Sequence, residues 1–519
     1  MVFRSPYPEI EIPRASLPDV VLGQALERGD KPALIDGPSG RTLTYAQLYH
    51  GVQAAAAGLA ERGFKQGDVF AIFSPNVPEY AIAFQAVARL GGIVTTVNPL
   101  YTVEELTFQL NDAKARFLLT VPPFMETAQK AAAESGVEEV FVFGEAEGAT
   151  PFASLLKPGG TPPTVQIDAE NDLVALPYSS GTTGLPKGVM LSHRNLVANL
   201  LQMDATGNFM TSDDVVLGVL PFFHIYGMTV ILNAAIYKGA TIVTLPRFEL
   251  EAFLDIMQKH RISVANLVPP IVLALAKHPV VDKYDLSSLR LIISGAAPLG
   301  ADVAEACARR IKCDVQQGYG LTETSPVTHV NLKDPERFAS IGPLLPNTEC
   351  RIVDPATGKD VPTNERGEVW IRGPQVMQGY LNNPEATANT IDSEGWLHTG
   401  DVGYADEDGY FYIVDRVKEL IKYKGYQVAP AELEAVLLTH PAVADAAVIP
   451  SPDEEAGEVP KAFVVLKGEA TADEILAFVA EHVAPYKKVR KLEFVEQIPK
   501  SPSGKILRRV LVERERGQG

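Results

Sequence analysis

The stretch Tyr178-Ser-Ser-Gly-Thr-Thr-Gly-Leu-Pro-Lys-Gly188 places three glycines, four serine or threonine hydroxyls and one lysine within eleven residues. An apolar run, 173–177, precedes it, and a strand-like run, 189–191, follows it. Glycines let a turn present consecutive backbone N–H groups, hydroxyls donate further hydrogen bonds, and Lys187 adds a cation, a combination that suits phosphate. It is not a Walker A loop, because Pro186 stands where that loop needs its second glycine and no helix pattern begins at the lysine. The alternative is a flexible surface loop rich in serine and glycine.

Helix and strand patterns alternate on both sides of this loop, up to about residue 420. A helix over 44–62, a strand over 69–73, a helix over 78–90 and a strand over 93–97 illustrate the alternation. Strands that alternate with helices favour parallel, doubly wound sheets. One sheet cannot hold so many units, so we expect two stacked or adjacent α/β layers.

The pattern changes from about Gly342, where short strands separated by turns predict a small β-rich unit. Beyond Arg416 a lysine-dense stretch leads to a helix that opens at Pro430, and a strand, a helix over 472–482 and another strand follow. We therefore predict an α/β fold with two domains. The N-terminal domain, 1–417, has two doubly wound subdomains and a β-barrel-like unit, and a small α+β domain spans 418–519.

Composition and charge exclude several classes of protein. The chain has 519 residues, 46 % hydrophobic and 21 % charged, which argues against a disordered chain, a disulfide-stapled miniprotein and a fibrous repeat. Its net charge of −18 gives no general attraction to nucleic acid or to an anionic membrane. Three cysteines without CxxC spacing predict packing residues in a reducing compartment: Cys307, Cys313 and Cys350.

The longest apolar stretch, 228–245, is interrupted by Asn233 and Lys238. A membrane span needs about 20 largely apolar residues, so we expect a buried helix, a turn and a strand. The first residues contain proline and charge where a signal peptide needs an apolar core. These patterns favour a soluble, cytoplasmic protein without a membrane span.

Further segments carry residues suited to one site: 221–227, 317–323, 396–401, Arg416 and 499–505. A carboxylate such as Glu323 beside a phosphate loop suits Mg²⁺. The acceptor-only carboxylate of Asp401 suits the two hydroxyls of a ribose, which Arg416 could also reach. Taken alone, His224 within its aromatic cluster fits a core histidine as well as a catalytic one. Lys505 taken alone fits a solvated surface lysine.

Together these segments resemble the signature motifs of the adenylate-forming superfamily, which includes acyl-CoA synthetases, 4-coumarate–CoA ligases, firefly luciferases and nonribosomal adenylation domains. The resemblance runs from the N-terminal helices to Lys505. The sequences YSSGTTGLPKGV, PFFHIYGM, GYGLTET, WLHTGD and DRVKELIKYKG resemble those of 4-coumarate–CoA ligases and medium- or long-chain acyl-CoA synthetases. The resemblance implies two half-reactions: a carboxylate attacks the α-phosphate of ATP, giving acyl-AMP and pyrophosphate, and the thiol of CoA then displaces AMP.

The resemblance also implies a role for each motif. It assigns the β- and γ-phosphates to Ser179, Ser180, Gly181, Thr182, Thr183 and Lys187, the adenine to Gln317, Gly318 and Tyr319, the α-phosphate to Thr322, Mg²⁺ to Glu323, and the ribose to Asp401 and Arg416. Lys505 would reach the carboxylate and α-phosphate oxygens, and His224, Thr322 and Glu323 complete the predicted catalytic set. Lys418 and Lys422 are further predicted nucleotide ligands.

The two half-reactions need different groups at one centre. By the resemblance, the small domain rotates about Lys418. One orientation inserts Lys505, and the other presents Lys424 and Gly425 to CoA, with Arg247 at the nucleotide end of CoA. The alternative for Lys418, Lys422 and Lys424 is a solvated, lysine-rich approach to a helix.

The residues predicted to line the acid pocket are His224, Tyr226, Val230, Ala297, Gly318 and Val330. They are small or apolar apart from the histidine and tyrosine, which suits an aryl-propenoate or a medium- or long-chain fatty acid and disfavours an amino acid. Two other enzyme classes stay open, loading of a carrier protein and luciferase-like oxidation, as does a nucleotide-binding regulatory protein. We expect small-molecule partners, no nucleic acid, and a monomer or homodimer.

Overall fold

The computed structural model describes residues 1–519 except 158, 180–185, 208, 333, 425, 454–455, 502–503 and 518–519. Among the described residues, strands form two large mixed sheets, a smaller antiparallel sheet and a sheet in the C-terminal part. The first large sheet contains, in spatial order, Tyr178–Ser179, Lys187–Ser192, Leu173–Ala175, Ile93–Val97, Val69–Phe73, Ala115–Thr120, Glu139–Val142 and Thr150–Pro151, with Gly379–Tyr380 beside Lys187–Ser192. The second contains Val327–Val330, Asp314–Gly320, Leu291–Ser294, Val264–Leu267, Val215–Gly218, Thr241–Thr244, Pro32–Asp36 and Thr42–Thr44.

The two smaller sheets follow later in the chain. The antiparallel sheet contains Phe3–Arg4, Glu349–Val353, Gly367–Arg372, Leu397–Ala405 and Phe411–Arg416. The C-terminal sheet contains Tyr426–Val428, Ile421–Tyr423, Gly457–Leu466 and Val443–Asp453, with Lys491–Phe494 parallel to Gly457–Leu466.

Helices cover both faces of the large sheets, and they also cover both faces of the C-terminal sheet, where Leu511 of the last helix packs on the face opposite to that of Leu433. The α-helices are Leu17–Val21, Ala25–Arg28, Tyr45–Glu61, Glu79–Arg89, Val103–Asp112, Met125–Ala133, His193–Asp204, Ala234–Lys238, Leu250–Lys259, Pro269–Lys277, Ala301–Ile311, Pro384–Ala388, Pro430–Thr439, Ala472–His482 and Arg508–Gly517. A π-helix, Tyr226–Asn233, and the 3₁₀ turns Pro122–Phe124, Phe152–Leu155, Pro279–Lys283, Thr322–Thr324 and Pro485–Lys487 complete the set.

Local sequence accounts for where several of these helices begin and end. Thr44 begins the Tyr45–Glu61 helix with a capping box, in which its hydroxyl accepts from the N–H of Gln47 and the Gln47 side chain accepts from the N–H of Thr44. Gly239 ends the Ala234–Lys238 helix in the left-handed region at φ 82°, a conformation that favours glycine. The chain then turns directly into the Thr241–Thr244 strand.

The predicted α/β architecture is confirmed, with one refinement. The central strands of both large sheets are parallel, as expected, but antiparallel strands close both edges of the second sheet, Val327–Val330 and Thr42–Thr44, and one edge of the first, Tyr178–Ser179. The stretch 228–245 is the expected buried helix, turn and strand. Within the described residues, no helix has the length and apolarity needed to cross a membrane.

The apolar core divides near the predicted domain boundary. One extended cluster lies between the large sheets and their helices, and a separate cluster around Leu433, Val448 and Val464 fills the C-terminal part. Separate cores are typical of separate domains. The chain thus has a large N-terminal and a small C-terminal domain, and the boundary between Val417 and Lys418 stays a prediction.

Candidate active site

Lys505 reaches from the C-terminal part of the chain into the N-terminal domain. On either side of residues 502–503, the N–H of Ser501 donates to the carbonyl of Lys505 at 2.8 Å, and the N–H of Gly504 donates to the carbonyl of Ser501 at 2.8 Å. Gly504 packs on the N-terminal domain, where an added Cβ would lie 2.9 Å from Val268 Cγ2. The side chain of Lys505 is thereby carried into the cleft between the domains.

The charged and titratable groups that act on Lys505 show which residues share the cleft with it. Burial, followed by the charge of Arg416, lowers the pKa of the Lys505 ammonium to about 8, while Glu419 and Asp401 act in the opposite direction. Burial and the charge of Lys505 together lower the pKa of His224 to about 4, so that this imidazole is neutral at pH 7. The structure therefore brings Lys505, Arg416, Asp401 and His224 into one site.

Asp401 and Arg416 lie opposite each other on neighbouring antiparallel strands, Leu397–Ala405 and Phe411–Arg416. The Nε atom of Arg416 is 3.2 Å from Oδ1 of Asp401, and the hydroxyl of Tyr319 donates to Oδ2 at 2.6 Å. Burial raises the pKa of Asp401, and Arg416 and Tyr319 counter that effect. The pair forms a rigid, charged platform beside Lys505.

A second group of polar side chains surrounds Glu323. Oε1 of this carboxylate accepts from the hydroxyl of Ser179 at 3.1 Å and from that of Tyr380 at 2.8 Å. The Nζ atom of Lys187 lies 4.3 Å from the centroid of the Tyr380 ring. Ser179, from the start of the glycine-rich loop, therefore contacts the predicted metal residue directly, and Lys187, from its end, contacts the tyrosine that is hydrogen-bonded to it. The loop residues between them, Ser180, Gly181, Thr182 and Thr183, lie outside the described residues.

The segment 317–323 connects these two groups. The amide of Gln317 is used within the protein, because Nε2 donates to the carbonyls of Leu299 and Phe338 and Oε1 accepts from the N–H of Leu299. That network holds the strand end at Gly318, and Thr322 begins a 3₁₀ turn that carries Glu323. The segment therefore runs from the Asp401 platform to the Glu323 cluster.

The residues predicted to line the acid pocket come from four elements. The hydroxyl of Tyr226 donates to the carbonyl of Ile293 at 2.9 Å, and a Cβ on Gly295 would lie 2.9 Å from the Tyr226 ring. Val230 is buried on the same π-helix. Gly318 and Val330 are paired across neighbouring strands, and Ala297 lies in the loop after the Leu291–Ser294 strand. These residues share one end of the second large sheet.

The remaining predicted residues lie at the surface. Lys418 is exposed in the turn after the Phe411–Arg416 strand, and Lys422 is exposed on a hairpin where its N–H donates to Glu458 at 2.8 Å. Lys424 turns that hairpin at φ 47°, and its N–H donates to the carbonyl of Ala456. Gly425 lies outside the described residues, and Arg247 is exposed before the Leu250–Lys259 helix.

Sequence reasoning missed four residues that the structure places around this site. Tyr380 contacts both Glu323 and Lys187, yet a single tyrosine 57 positions beyond Glu323 carries no spacing signal. Asp415, Glu419 and Arg508 were also missed. Asp415 and Glu419 flank Arg416 in sequence, and Arg508 follows Lys505 by three positions. Charged residues so near a predicted ligand are the one signal that could have found them.

Comparison with known proteins agrees with the geometry. Residues 22–381 match the family described as AMP-binding enzyme, and residues 432–505 match the AMP-binding enzyme C-terminal domain. A 4-coumarate–CoA ligase 3 from Oryza sativa subsp. japonica is 47 % identical, over 98 % of this chain and 94 % of the relative. A 4-coumarate–CoA ligase 2 from Petroselinum crispum is 45 % identical, over 98 % and 96 %. The crystal structure of the anthranilate CoA ligase AuaEII with anthranoyl-AMP has a TM-score of 0.92 at 28 % identity, covering 98 % of each chain.

The chain therefore belongs to the AMP-binding enzymes, the adenylate-forming superfamily whose motifs its sequence carries. Within that family its sequence is of the 4-coumarate–CoA ligase type along nearly its whole length.

Proposed function

We propose that this chain is an AMP-forming acid–CoA ligase that converts an aryl-propenoate of the 4-coumarate type into its CoA thioester. The observation that carries the proposal is the position of the buried Lys505 beside Arg416 and Asp401. The chain that contains this site is 45–47 % identical to 4-coumarate–CoA ligases over 98 % of its length. A buried cation delivered by the second domain fits a reaction in which negative charge builds on oxygen atoms.

In the first half-reaction, the carboxylate of the acid attacks the α-phosphorus of ATP and pyrophosphate leaves. Lys505 would hold the attacking carboxylate and an α-phosphate oxygen, and the hydroxyl of Thr322 would donate to the same phosphate. Asp401 would accept from the ribose hydroxyls, with Arg416 and Tyr319 fixing its orientation. Phosphoryl transfer of this kind depends on positioning and charge, which suits a site in which the imidazole of His224 is neutral.

The β- and γ-phosphates would lie along the glycine-rich loop, between Ser179 and Lys187. Glu323 supplies one carboxylate at that point, and among the described residues no group of three or more His, Cys, Asp or Glu could hold a metal ion. Mg²⁺ commonly binds through one or two carboxylates, with phosphate oxygens and water completing its shell. Glu323 therefore fits an Mg²⁺ ion that neutralises phosphate charge and is brought by the nucleotide.

In the second half-reaction, the thiol of CoA attacks the acyl carbon and AMP leaves. The hairpin that carries Lys424 lies outside the Lys505 cleft in this orientation, which agrees with a rotation about Lys418 between the two half-reactions. After that rotation, Lys424 and Gly425 would contact CoA, with Arg247 at its nucleotide end. The exposed position of Lys418 permits the backbone change that such a hinge requires.

The acid pocket favours a flat, largely apolar acid. Val230, Val330 and Ala297 offer apolar contacts, Gly318 leaves space, and Tyr226 closes one end. Because the predicted lining contains no carboxylate to pair with an ammonium group, an amino acid is disfavoured. An aryl-propenoate fits both this lining and the names of the relatives.

The test is ATP- and CoA-dependent turnover over a panel of acids, with products identified by mass spectrometry. The panel contains 4-coumarate, caffeate, benzoate and straight-chain acids from acetate to palmitate. We expect the largest kcat/KM with the hydroxycinnamates and a CoA thioester as product. Acyl-AMP without thioester would move the proposal to carrier-protein loading. Nucleotide binding without pyrophosphate release from any acid would favour a regulatory protein.

A further inference from the structure

The helix Pro430–Thr439 lacks a cap from its own N-terminal residue. Its N-cap position is Ala429, which has no side-chain oxygen, whereas the helices that begin after Thr44, Thr102 and Thr471 are capped by those hydroxyls. The first N–H groups of a helix have no partner within the helix and need one from outside. Asp415 is that outside partner for Ala431, because its Oδ2 accepts from the N–H of Ala431 at 2.8 Å.

This hydrogen bond spans the predicted hinge. Asp415 precedes Lys418 by three residues. It belongs to the strand Phe411–Arg416 of the antiparallel sheet, where its Oδ1 accepts from the N–H of Arg416 at 2.8 Å. Ala431 lies beyond the hinge in the C-terminal domain. Asp415 is 5 % exposed, so its carboxylate is held between the two domains.

Arg508 connects the surroundings of the Asp415–Ala431 hydrogen bond to the loop that carries Lys505. Its Nη2 donates to both carboxylate oxygens of Glu434, at 2.8 and 2.7 Å, and Glu434 lies one turn after Ala431 on the capped helix. Its Nη1 donates to Glu419 at 2.6 Å, and its charge acts on Asp415. A buried network therefore connects Asp415, the start of the helix and the segment three residues beyond Lys505.

A rotation of the small domain about Lys418 would carry Ala431 away from Asp415. The cap therefore exists only while the domain is oriented as in this structure, with Lys505 in the cleft. We propose that Asp415 is a positioning residue, which caps the Pro430–Thr439 helix across the domain boundary and thereby favours the orientation that inserts Lys505. The inference rests on the proposed two-step cycle and adds a residue that biases it towards adenylation.

The cap can be removed without touching Asp415. Ala431→Pro deletes the donor N–H at the second helical position, where proline is compatible with a helix because the first turn makes no internal bond through that N–H. The chain already tolerates two prolines in this arrangement, since Pro269 and Pro270 begin the Pro269–Lys277 helix. Asp415→Asn is the complementary change, which keeps the shape of the side chain but leaves one acceptor oxygen and an NH2 group for the two N–H donors, of Arg416 and Ala431, that Asp415 serves.

A cysteine pair reports the orientation without any catalysis. A Cβ built on Gly300, in the N-terminal domain, lies 3.4 Å from the Cβ of Ala435, close to the separation found in disulfides. Gly300 has φ −62°, so a cysteine fits its backbone. Gly300→Cys with Ala435→Cys should crosslink in the orientation seen here, in a background where the partly exposed Cys313 is replaced by serine.

Losing one helix cap shifts the equilibrium constant between the orientations about fivefold, and the population that can crosslink falls by that factor or less. We therefore expect Ala431→Pro and Asp415→Asn each to slow crosslinking by about two- to fivefold when this orientation accounts for no more than about three quarters of the molecules. Two matched controls should leave the rate unchanged. Ala472→Pro adds a first-turn proline to another helix of the same domain, and Asp354→Asn changes an aspartate in an exposed turn. Unchanged crosslinking in both test variants would overturn the inference, as would equal slowing in the controls.

Half-reaction rates separate this inference from the proposed function. Both test variants should slow pyrophosphate release while thioester formation from supplied acyl-AMP is maintained or faster. A loss of thioester formation as large as that of adenylation would assign Asp415 a general structural role and overturn the inference. If the unmodified protein releases no pyrophosphate with any acid, the proposed function fails, and the crosslinking result still decides whether the cap sets the orientation.

Discussion

The pH dependence of adenylation depends on Lys505. Burial lowers its pKa to about 8, which brings the ammonium close to neutrality at mildly alkaline pH. The proposed role requires the charged form, which is present below the pKa and lost above it. Adenylation by the free enzyme should therefore decline as the pH rises through 8.

The size of the decline follows from the pKa. With a value of about 8, the charged fraction of Lys505 is about 0.9 at pH 7 and about 0.1 at pH 9, so kcat/KM should fall about tenfold between them. Bound phosphate oxygens stabilise the ammonium, so kcat at saturating ATP should decline only at higher pH. His224, with a pKa of about 4, adds no transition in this range.

The assay is pyrophosphate release without CoA, because the CoA thiol would itself titrate. The acid is 4-methoxycinnamate, which has no phenolic proton to lose. Lys505→Arg is the control, since arginine stays charged throughout and should give a lower but flat profile from pH 7 to 9.5. A flat kcat/KM profile for the unmodified enzyme, or the same decline in Lys505→Arg, would refute the reasoning.

Four further perturbations test individual parts of the site. Lys505→Ala should lower acyl-AMP formation by about 10²–10³ through loss of a preorganised charge and spare thioester formation from supplied acyl-AMP; equal losses in rapid-quench assays of both steps would contradict it. Lys418→Pro should leave pyrophosphate release intact and cripple transfer to CoA, and unchanged thioester rates would place the hinge elsewhere. Oxidation of the Gly300→Cys/Ala435→Cys pair should permit one round of adenylation but stop CoA-dependent turnover until reduction, whereas continued turnover would show that no rotation is needed. Glu323→Gln should raise the Mg²⁺ concentration for half-maximal pyrophosphate release several-fold, and an unchanged Mg²⁺ dependence would argue against a metal at this carboxylate.

The elements of the fold could be predicted because their signals are local. The helix expected over 44–62 is observed as Tyr45–Glu61, since a capping threonine and a following glycine mark its ends. The helix over 78–90 is Glu79–Arg89, and the one over 472–482 is confirmed to the residue. Which strands pair was not predictable, because partners such as Val69–Phe73 and Ala115–Thr120 lie some 45 residues apart.

The residues of the candidate site also include some that the sequence could predict and some that it could not. Asp401, Arg416 and Glu323 stand within motifs whose residue types indicate their chemistry, so each could be proposed from sequence. Tyr380 could not, because its contact with Glu323 arises from the pairing of Gly379–Tyr380 with the Lys187–Ser192 strand.

The orientation of the small domain could be predicted neither from the motifs nor from the local helix and strand patterns. The sequence contains two lysine-bearing segments for one centre, around Lys424 and Lys505, and gives no reason why either should face the cleft. That choice is made by contacts between residues far apart in the chain, such as Arg366 with Glu432 at 2.6 Å and Asp415 with the N–H of Ala431 at 2.8 Å. The first of these contacts is a partly exposed ion pair and contributes little, whereas the second is a buried helix cap. Under the proposed two-step cycle, the preference between the two orientations would depend on such residues, which touch no substrate, and their substitution should redistribute the orientations before it impairs the chemistry.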